Sequence, residues 1–540
     1  MIHPYSLIMR LFVLIETLTS LLIEYLNTRS LASVALLYTE RALILGPLWI
    51  KIGQVLASRQ DILGKEACQY LEVLTDKVPE TFSINEARLM IKEDFRDVAI
   101  AQELLLNLSN ETVACASLAQ VYKSRLNSIG EVAVKIQRPD IRAIISTDFI
   151  FAKFLASLLA HFGIVKADLI GAVDEYGSRL YEEIDYANEK MNIVKFNKLY
   201  DNDIGTAART LPKPGLCIPK AISGLCSDRI ITMTWIDCLK LNDKNQQFSS
   251  QDLALIKLGI RSTLSQLLDT GIMHADCHAG NLLKEKDTNR LVYLDFGLVA
   301  TIPQVVKESL ICSILYFIER DIENLANQFD GLMLLPKDSL SSQEQLEFQQ
   351  SLLEIINKIF KDIDEAKKTI KTTTKRAQSL TNLPRIRFDQ LIFDLLTVAT
   401  KYKFTVPPYF LNNARALASL EGIALIADPN FNLLQELYPY VLKRIILGQE
   451  ESPKIRKAFR ELTLHNVNGY MVPNWNRIKR LHDDIISIGL DKRELYLQFA
   501  KIILFTKPGM SLIKEVSYSY ASILLRKVRS IWKGLKKLHA

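Results

Sequence analysis

The sequence has no long hydrophobic run and no paired cysteine pattern. The first absence disfavours a membrane-spanning protein, and the second disfavours a disulfide-stabilised one. Its seven cysteines are odd in number and scattered, which favours reduced thiols in a cytoplasm-like compartment over a disulfide framework. No uncharged apolar stretch reaches the roughly 18 residues that a bilayer-spanning helix needs. The best candidates, Leu11–Ile23 and Ile144–Leu159, contain charged side chains, so we expect no transmembrane helix.

The sequence also lacks a targeting segment and a strong excess of one charge. The N-terminus shows neither a clear signal-peptide cleavage site nor the Arg- and Ser-rich composition of a transit peptide. The net charge of +7 is diffuse, so no nucleic-acid partner is expected. These features favour a bacterial protein or one encoded within an organelle.

What the sequence does contain is a polar loop, a short strand and an acidic tripeptide, all within residues 271–297. The loop H-x-D-x-H-x-G-N places Asp276 and Asn281 five residues apart, and Asp295 of a D-F-G tripeptide follows fourteen residues later. Phosphoryl transfer needs a carboxylate near the attacking hydroxyl or water, together with hard oxygen ligands that hold Mg²⁺ on the phosphates. The spacing therefore predicts a phosphotransferase site, with Asp276 as catalytic carboxylate and Asn281 and Asp295 as metal ligands.

Two other interpretations of this segment have less support. A chance polar loop would explain either motif alone, but not both in order with a strand between them. The crowding of His274, Asp276, Cys277 and His278 would suit zinc. Zinc sites, however, usually draw paired ligands from two segments, and the sequence has no second Cys/His cluster.

Upstream segments are predicted to supply the nucleotide side of the site. Ala114–Tyr122 is a run of small residues leading into a strand, and Glu131–Gln137 is a second strand of the V-A-x-K form, in which a lysine pairs with nucleotide phosphates. This lysine is Lys135. A kinase-like fold also needs a helical glutamate to pair with it. The acidic helix predicted at Asp174–Asn197 is the only obvious supplier before the catalytic loop.

Two glutamates on this predicted helix, Glu183 and Glu189, lie six residues apart, which is nearly two turns. Both can therefore face one cleft. Further along, Ile218–Lys220 and Arg229–Ile236 are predicted as the last strands of the small lobe. The hinge that holds the adenine is predicted at Thr234, Trp235 and Ile236.

An N-terminal helix carries the motif K-x-G-Q at residues 51–54. Gly46-Pro47 predicts the start of this helix, which continues to Asp61. Lys51 and Gln54 are three residues apart and share one helix face. A solvated surface helix would carry the same residues, so the tetrapeptide alone assigns no function.

The chain after residue 303 is predicted to be almost wholly helical, with breaks at Pro384, Pro407-Pro408 and Pro453. Its end, Leu524–Ala540, combines an apolar stripe with Lys and Arg residues and contains no acidic residue. Such a basic amphipathic helix can lie on an anionic membrane surface or dock onto the helical region.

In this order, the motifs resemble those of the UbiB/ADCK (AarF-like) family of atypical kinases over about residues 40–305. The family pattern includes the K-x-G-Q helix, an Ala-rich loop in place of a Gly-rich one, the strand lysine, E-x-D-Y-x-x-E at 183–189 and both downstream motifs. Each motif is weak alone, whereas the ordered set is specific. The resemblance assigns nucleotide binding to the Ala-rich loop, namely Ala114, Cys115, Ala116, Ser117, Leu118, Ala119 and Gln120.

The resemblance implies a two-lobed, protein-kinase-like α+β fold. It divides the chain into an N-terminal helical extension at 1–110, a small lobe with inserted helices at 111–237, a catalytic core at 238–305 and a long, mostly helical region at 306–540. It places Lys51 and Gln54 in the active-site cleft, pairs Lys51 with acids such as Glu183, and pairs Lys135 with Glu189. The implied catalytic residues are Asp276, Lys135, Lys51, Gln54, Glu183 and Glu189.

Three positions depart from the family pattern, and none is a catalytic group. Cys115 occupies a place where Ala is common, Gly64 a place where Pro often follows R-x-D, and Glu80 a place where a second Pro is common. The long helical tail and the lack of a C-terminal transmembrane pair are more similar to the cyanobacterial and plastid branch.

The implied function is an atypical kinase or ATPase that binds ATP and Mg²⁺ and supports isoprenoid quinone or other prenyl-lipid metabolism. Expected partners are prenyl-lipid or quinone precursors and an anionic membrane, with the protein peripheral on the cytoplasmic face. The sequence identifies neither the phosphoryl acceptor nor the oligomeric state.

Three alternatives remain open. A conventional protein kinase is disfavoured because the K-x-G-Q helix would fill the peptide groove. A small-molecule phosphotransferase of the aminoglycoside or choline type would lack that helix and the Ala-rich loop. A nucleotide-sensing pseudokinase scaffold is disfavoured by the complete set of metal ligands.

Overall fold

The chain is described by a computed structural model. The described residues are 4–57, 63–76, 80–96, 98–161, 169–201, 215–241, 250–277, 280–335, 340–369, 407–447, 452–467 and 470–479, with short pieces at 207, at 211, between 391 and 402 and between 510 and 525. The predicted helix break at Pro384 and the basic segment after Leu525 lie outside these residues.

Within the described residues, helices alone precede the first strand, as the sequence predicts. They are α1 (Pro4–Thr28), α2 (Leu31–Leu45), α3 (Pro47–Ala57), α4 (Lys65–Asp76), α5 (Ile84–Asp94) and α6 (Ala99–Leu106). Gly46 ends α2 with a φ of 97°, a value that glycine adopts without strain, and Pro47 then opens α3. Ser83 and Glu86 form a capping box at the start of α5.

Eleven described strands lie between residues 114 and 301, and nine of them build the two sheets that frame the cleft. They are β1 (Ala114–Cys115), β2 (Ala119–Leu126), β3 (Gly130–Gln137), β4 (Leu216–Cys217), β5 (Ala221–Cys226), β6 (Ile230–Thr234), β7 (Cys238–Lys240), β8 (Ile272–His274), β9 (Leu282–Glu285), β10 (Leu291–Tyr293) and β11 (Val299–Thr301). The first sheet is antiparallel in the order β1-β2-β3-β6-β5, and the second has the order β4-β10-β9-β7. Strands β8 and β11 form a separate pair.

One predicted small-lobe strand is wrong. Residues 218–220 are not a strand, and the nearby β4 pairs in parallel with β10, so it belongs to the second sheet. The final small-lobe strand is β6, which ends at Thr234. Residues 235–237 then lead from the first sheet to β7 of the second, where the sequence predicts the hinge.

Three helices, α7 (Ile141–His161), α8 (Leu169–Glu183) and α9 (Tyr186–Tyr200), separate β3 from β4. The prediction of one continuous helix over Asp174–Asn197 is wrong, because the chain breaks between α8 and α9. The Asp185 side chain accepts a hydrogen bond from the Asn188 amide at 3.0 Å and caps α9. A new helix therefore starts inside the E-x-D-Y-x-x-E signature.

The chain after β7 is mainly helical. The helices are α10 (Ser250–Ser265), a π-helical turn (Gln266–Thr270), α11 (Gln304–Glu319), α12 (Ile322–Ala326), α13 (Ser342–Thr369), α14 (Pro408–Ala427), α15 (Leu433–Leu447) and α16 (Pro453–Thr463). Pro408 and Pro453 open helices, as their breaks predict. The hairpin β12 (Leu464–Val467) and β13 (Tyr470–Pro473) is the exception to the predicted helical region.

Buried apolar side chains form three clusters that divide the molecule. One joins α1–α4 to α7 and α8, one packs α5 and α6 against the first sheet, and the largest joins α9, the second sheet and the C-terminal helices. None of the described helices is both long and apolar enough to cross a membrane. All seven cysteines are free. Sheets framed by segregated helices give the α+β class that the sequence predicts.

Candidate active site

A cavity of about 90 Å³ lies where the Ala-rich loop, α3, the α8–α9 junction and the segment after β10 meet. Most of the charged side chains predicted for the site face it. Its lining consists of Lys51, Ala116, Ser117, Leu118, Ala119, Lys135, Glu183, Tyr186, Asp276, Asp295, Gly297 and Leu298.

Lys135 is the central cation of the cleft. Its Nζ lies 3.0 Å from the Glu189 carboxylate and 3.2 Å from Oδ1 of Asp295. Glu189 is 1% exposed, whereas the Asp295 side chain is 49% exposed. Lys135 therefore bridges a buried carboxylate on α9 and a solvent-facing carboxylate after β10. This is the lysine–glutamate pair that the sequence predicts.

Burial and oppositely charged neighbours shift the pKa values of Lys135, Asp295 and Glu189 in opposite directions. Burial alone would lower the pKa of Lys135, but the Asp295 and Glu189 carboxylates raise it well above its usual value. The Lys135 ammonium lowers the pKa of Asp295 to about 2, and burial raises the pKa of Glu189 despite this pairing. Asp295 is therefore an anion at neutral pH, as a metal ligand must be.

Asp295 occupies an unusual backbone position. Its φ is 58°, in the left-handed region that Asp and Asn adopt more readily than other residues with a Cβ. The Asn192 amide on α9 donates to the Phe296 carbonyl at 3.0 Å, and the Gly297 amide faces Oδ1 of Asp295 at 3.4 Å. The Asn192 side chain thus holds this turn against α9, and the Gly297 contact lies within the turn. Sequence reasoning missed Asn192, although it lies three residues beyond Glu189 and so on the same helix face.

Asp276 lines the cavity, whereas Asn281 is 9% exposed and lies behind it, bonded to the Asp276 backbone. The Asn281 side-chain nitrogen donates to the Asp276 carbonyl at 2.9 Å, and the Asn281 carbonyl accepts from the Leu294 amide at 3.0 Å. These bonds place the amide oxygen of Asn281 away from the Asp276 carbonyl and tie this loop to the strand that carries Asp295. His278, within the loop, lies outside the described residues.

His274 is structural rather than solvent-facing. It is completely buried, and its Nε2 lies 3.0 Å from the Leu294 carbonyl. Its ring packs edge-on against Phe296 at 5.2 Å, and Phe296 contacts Phe196 of α9 at 5.0 Å. Through these ring contacts β8, the D-F-G turn and α9 pack against one another.

Lys51 of α3 enters the cleft from the N-terminal helices. Its Nζ lies 2.8 Å from the Glu183 carboxylate, and both side chains are less than one quarter exposed. Burial would lower the pKa of Lys51, but Glu183, Asp276 and Asp295 raise it overall. Burial raises the pKa of Glu183 although Lys51 opposes the shift. The Lys51–Glu183 ion pair joins α3 to the end of α8 at the cavity wall.

The other two residues of the K-x-G-Q motif pack α3 onto α4. The Gln54 side-chain nitrogen donates to the Leu74 carbonyl at 2.8 Å, and Gln54 does not line the cavity. A Cβ on Gly53 would lie 2.3 Å from Leu74 Cδ1 and 3.0 Å from Tyr38. The sequence places Gln54 in the cleft, but the structure gives it the helix-packing contact instead.

The E-x-D-Y-x-x-E signature spans the α8–α9 junction, and each of its residues has a separate contact. Glu183 ends α8 and pairs with Lys51, Asp185 caps α9, and Glu189 pairs with Lys135. The ring of Tyr186 lies 5.3 Å from the Lys135 ammonium. Both glutamates pair with lysines that line the cavity, and they do so from two helices.

Several predicted nucleotide-binding residues do not line this cavity. Gln120 is 1% exposed, and its side-chain oxygen accepts from the Thr81 and Phe82 amides at 2.7 and 3.1 Å, so it joins β2 to the segment before α5. The Trp235 amide donates to the Glu131 carbonyl at 3.0 Å. The remaining residues of this group are Ala114, Cys115, Thr234 and Ile236.

The donor chemistry of Asn281 and Asp295 suits a magnesium ion. Asn281 and Asp295 present an amide oxygen and a carboxylate, which are hard donors suited to Mg²⁺. Among the described residues, no group of three or more His, Cys, Asp or Glu side chains is placed to hold a metal ion by itself. An ion held by Asn281 and Asp295 would take its remaining ligands from phosphates and water.

Two segments of the chain match known domain families. Residues 73–329 match the ABC1 atypical kinase-like domain, and residues 380–432 match the UbiB helical domain. The first match contains Lys135, Glu189, Asp276 and Asp295. A solved complex of Rv3197 with erythromycin from Mycobacterium tuberculosis has 20% identity and a TM-score of 0.42 over 76% of this chain and 92% of its own, a likeness too low to carry an inference.

Curated relatives come from Arabidopsis thaliana and Synechocystis. An uncharacterized chloroplastic aarF domain-containing protein kinase of Arabidopsis is 33% identical over 77% of this chain and 54% of its own length. The chloroplastic Arabidopsis protein Activity of BC1 complex kinase 3 is 32% identical over 81% and 56%. This chain therefore spans little more than half the length of the Arabidopsis relatives.

The uncharacterized Synechocystis protein slr1919 is 32% identical over 87% of this chain and 76% of its own length. The organisms and the chloroplastic relatives agree with the cyanobacterial and plastid branch that the sequence of the C-terminal region indicates. The chain belongs to the ABC1/UbiB (AarF-like) family of atypical kinase-like proteins.

Proposed function

We propose that the chain binds ATP with Mg²⁺ in this cleft and acts as an atypical kinase or ATPase. Its activity would support isoprenoid quinone or other prenyl-lipid metabolism at a membrane surface. The observation that carries the proposal is the convergence of Lys135, Asp276 and Asp295 on one cavity, with Lys135 held by Glu189.

Each residue has a definite role in this proposal. Lys135, positioned by Glu189, binds the nucleotide phosphates, and Asn281 and Asp295 hold the metal. The bound ion neutralises charge on the phosphates. Asp276 accepts the proton of the attacking hydroxyl or water.

The position of the helix that carries Lys51 favours a small molecule or water, rather than a peptide, as the phosphoryl acceptor. The Lys51–Glu183 pair lies on the cavity wall and joins α3 to the end of α8. This part of the chain therefore occupies a side of the cleft that a protein substrate would need. A protein-kinase activity is accordingly not proposed.

An apolar stripe on α1 supports the membrane part of the proposal. Ile8, Phe12, Ile15, Leu22 and Leu26 recur on one helix face and are between 49% and 70% exposed. Exposed apolar stripes of this size mark surfaces for membranes or partners.

The nucleotide proposal is tested by two conservative substitutions with separate readouts. Asp295→Asn should abolish the rise in melting temperature produced by Mg-ATP, because it removes the carboxylate ligand while Asn tolerates the positive φ. Asp276→Asn should keep that rise but lower ATP turnover by about 100-fold or more, because it removes the proton acceptor.

The matched control is Asp287→Asn, in the exposed turn between β9 and β10. It should change neither the thermal shift nor the turnover. An Mg-ATP shift in Asp295→Asn equal to that of the native chain would contradict the metal assignment.

A further inference from the structure

A second cavity, of about 180 Å³, lies in the C-terminal helical region. Helices α11, α13, α14 and α15 enclose it, and it shares no lining residue with the nucleotide cleft. Its walls are almost entirely apolar, and none of the described residues that line it carries a charge. Representative lining residues are Leu310, Phe317, Leu352, Phe410, Leu417 and Leu437.

Within the part of the chain that the structure describes, two buried polar groups in this apolar lining have no hydrogen-bond partner. Asn413 on α14 is 6% exposed, and neither its amide nitrogen nor its carbonyl oxygen is bonded. The Ser313 hydroxyl on α11 is also buried and unbonded. Tyr409, the other polar lining residue, donates to the Leu332 carbonyl. An unpaired buried amide is destabilising, and most such groups in folded proteins have partners.

Asn413 occupies a core position of its helix. Beyond it, the buried side of α14 continues with Ala416, Leu417, Leu420 and Ala424, which are apolar, and with Glu421, which is 5% exposed. An apolar residue at position 413 would fill this place without an unbonded amide. The asparagine is therefore better explained by a ligand that completes its hydrogen bonds than by packing.

The size and polarity of the cavity limit the ligand. An apolar cavity of about 150 Å³ in another protein binds benzene, so 180 Å³ admits a ring or a chain segment of roughly six to ten carbons. A charged head group is disfavoured because none of the described lining residues carries an opposite charge. A hydroxyl can donate to the Asn413 carbonyl oxygen and accept from its nitrogen.

We propose that this cavity binds an uncharged lipid alcohol, with its chain against the apolar walls and its hydroxyl on Asn413. The proposal goes beyond the nucleotide function and does not rest on it, because the two cavities are separate. Lipid binding is measured without ATP, so each proposal can fail alone.

Three ten-carbon ligands test the class. Calorimetric titration of the full chain should show saturable, one-site binding of geraniol, 1-decanol or both, with decanoate at least tenfold weaker. Tighter binding of geraniol would indicate an isoprenoid alcohol as the natural ligand, and tighter binding of 1-decanol a straight-chain alcohol. Absence of saturable binding by either alcohol, or decanoate binding as tightly as the alcohols, would overturn the proposal.

Two substitutions on α14 test the location. Ala414→Phe places a ring of about benzene's size in the cavity and should abolish alcohol binding without lowering the melting temperature. Ile426→Phe, on the same helix but 67% exposed, should leave binding unchanged. Native affinity in a folded Ala414→Phe variant would overturn the assignment.

Asn413→Leu keeps the proposal testable if Ala414→Phe does not fold. It should raise the melting temperature, because it removes a buried unpaired amide, and weaken alcohol binding about tenfold by removing a hydrogen bond. Unchanged affinity in this variant would show that Asn413 does not hold the head group and would overturn the proposal.

Discussion

At the scale of single residues, the cleft consists of charges that neutralise one another. Lys135 is shared by Glu189 and Asp295, and Lys51 is paired with Glu183. Each lysine lies on a different element from its carboxylates. Loss of one cation therefore leaves a partly desolvated carboxylate beside others, which is unfavourable.

Lys51→Met should lower the stability of the folded chain by about 1–3 kcal/mol, measured by calorimetric unfolding. The reason is that Glu183 would remain next to Asp276 and Asp295 without its nearest cation. Adding Glu183→Gln to this variant should recover most of the loss, because it removes the unpaired charge.

Lys153→Met is the matched control for this prediction. It breaks the Lys153–Asp174 pair, whose two side chains are 41% and 49% exposed, and should cost less than about 1 kcal/mol. An equal loss in the two variants would show that the Lys51 pair has no special energetic role.

At the scale of elements, a buried ion pair attaches α1 to α7. The Arg10 guanidinium contacts both carboxylate oxygens of Asp148, at 2.7 and 2.6 Å, and also donates to the Leu45 carbonyl. Asp148 is completely buried, and burial raises the pKa of its carboxyl although Arg10 opposes the shift. The arginine thus joins α1, α2 and α7 at one point.

Arg10→Met should destabilise the chain by about 3–5 kcal/mol at pH 7, because it leaves a buried carboxylate unpaired. The loss should shrink as the pH falls towards 5. With a raised pKa the folded state holds a proton that the unfolded chain has released, so stability decreases as the pH rises through that pKa.

Denaturant unfolding at pH 5 and pH 7 measures this difference. Arg41→Met is the control, since it breaks the exposed Arg41–Glu16 pair between α1 and α2. Its small effect should not depend on pH. A pH-independent loss in Arg10→Met would contradict the role given to Asp148.

At the scale of the whole molecule, exposed apolar side chains are concentrated on the N-terminal helices. Ile8 and Phe12 of α1 are 64% and 70% exposed, and Ile150 and Phe154 of α7 are 65% and 63% exposed. Because Arg10 pairs with Asp148, α1 is held against α7. A membrane or partner that contacts one of these helices is therefore close to the other. The position of the apolar stripe on α1 relative to α7 therefore depends on this ion pair.

Replacing both Ile8 and Phe12 by Gln should reduce co-sedimentation with anionic vesicles several-fold, because it removes apolar area from the interface. Leu106→Gln, at an 84% exposed site on α6, is the control and should not change binding. Equal co-sedimentation of the double variant and the native chain would refute a membrane role for this stripe.

Deletion of Leu524–Ala540 separates the second membrane hypothesis from the first. Loss of vesicle binding in this variant alone would assign the membrane contact to the basic end of the chain. Apart from Leu525, that segment lies outside the described residues, so its sequence alone supports the role.

The sequence by itself determined the motifs whose chemistry depends on short spacing. The loop with Asp276 and Asn281, the D-F-G turn and the strand lysine could all be predicted, because each is a local pattern of residues on one segment. Their order along the chain also identified the family. The pairings of Lys51 with Glu183 and of Lys135 with Glu189 followed from that resemblance.

Only the tertiary structure decided contacts between distant segments. The cap at Asp185 splits one predicted helix into two, and Gln54 and Gln120 bond to backbone groups of neighbouring elements rather than facing the cavity. The unpaired amide of Asn413 is likewise visible only once its surroundings are assembled. Residue spacing limits what lies on one helix or strand, whereas the partner of a buried polar group depends on how separate elements pack.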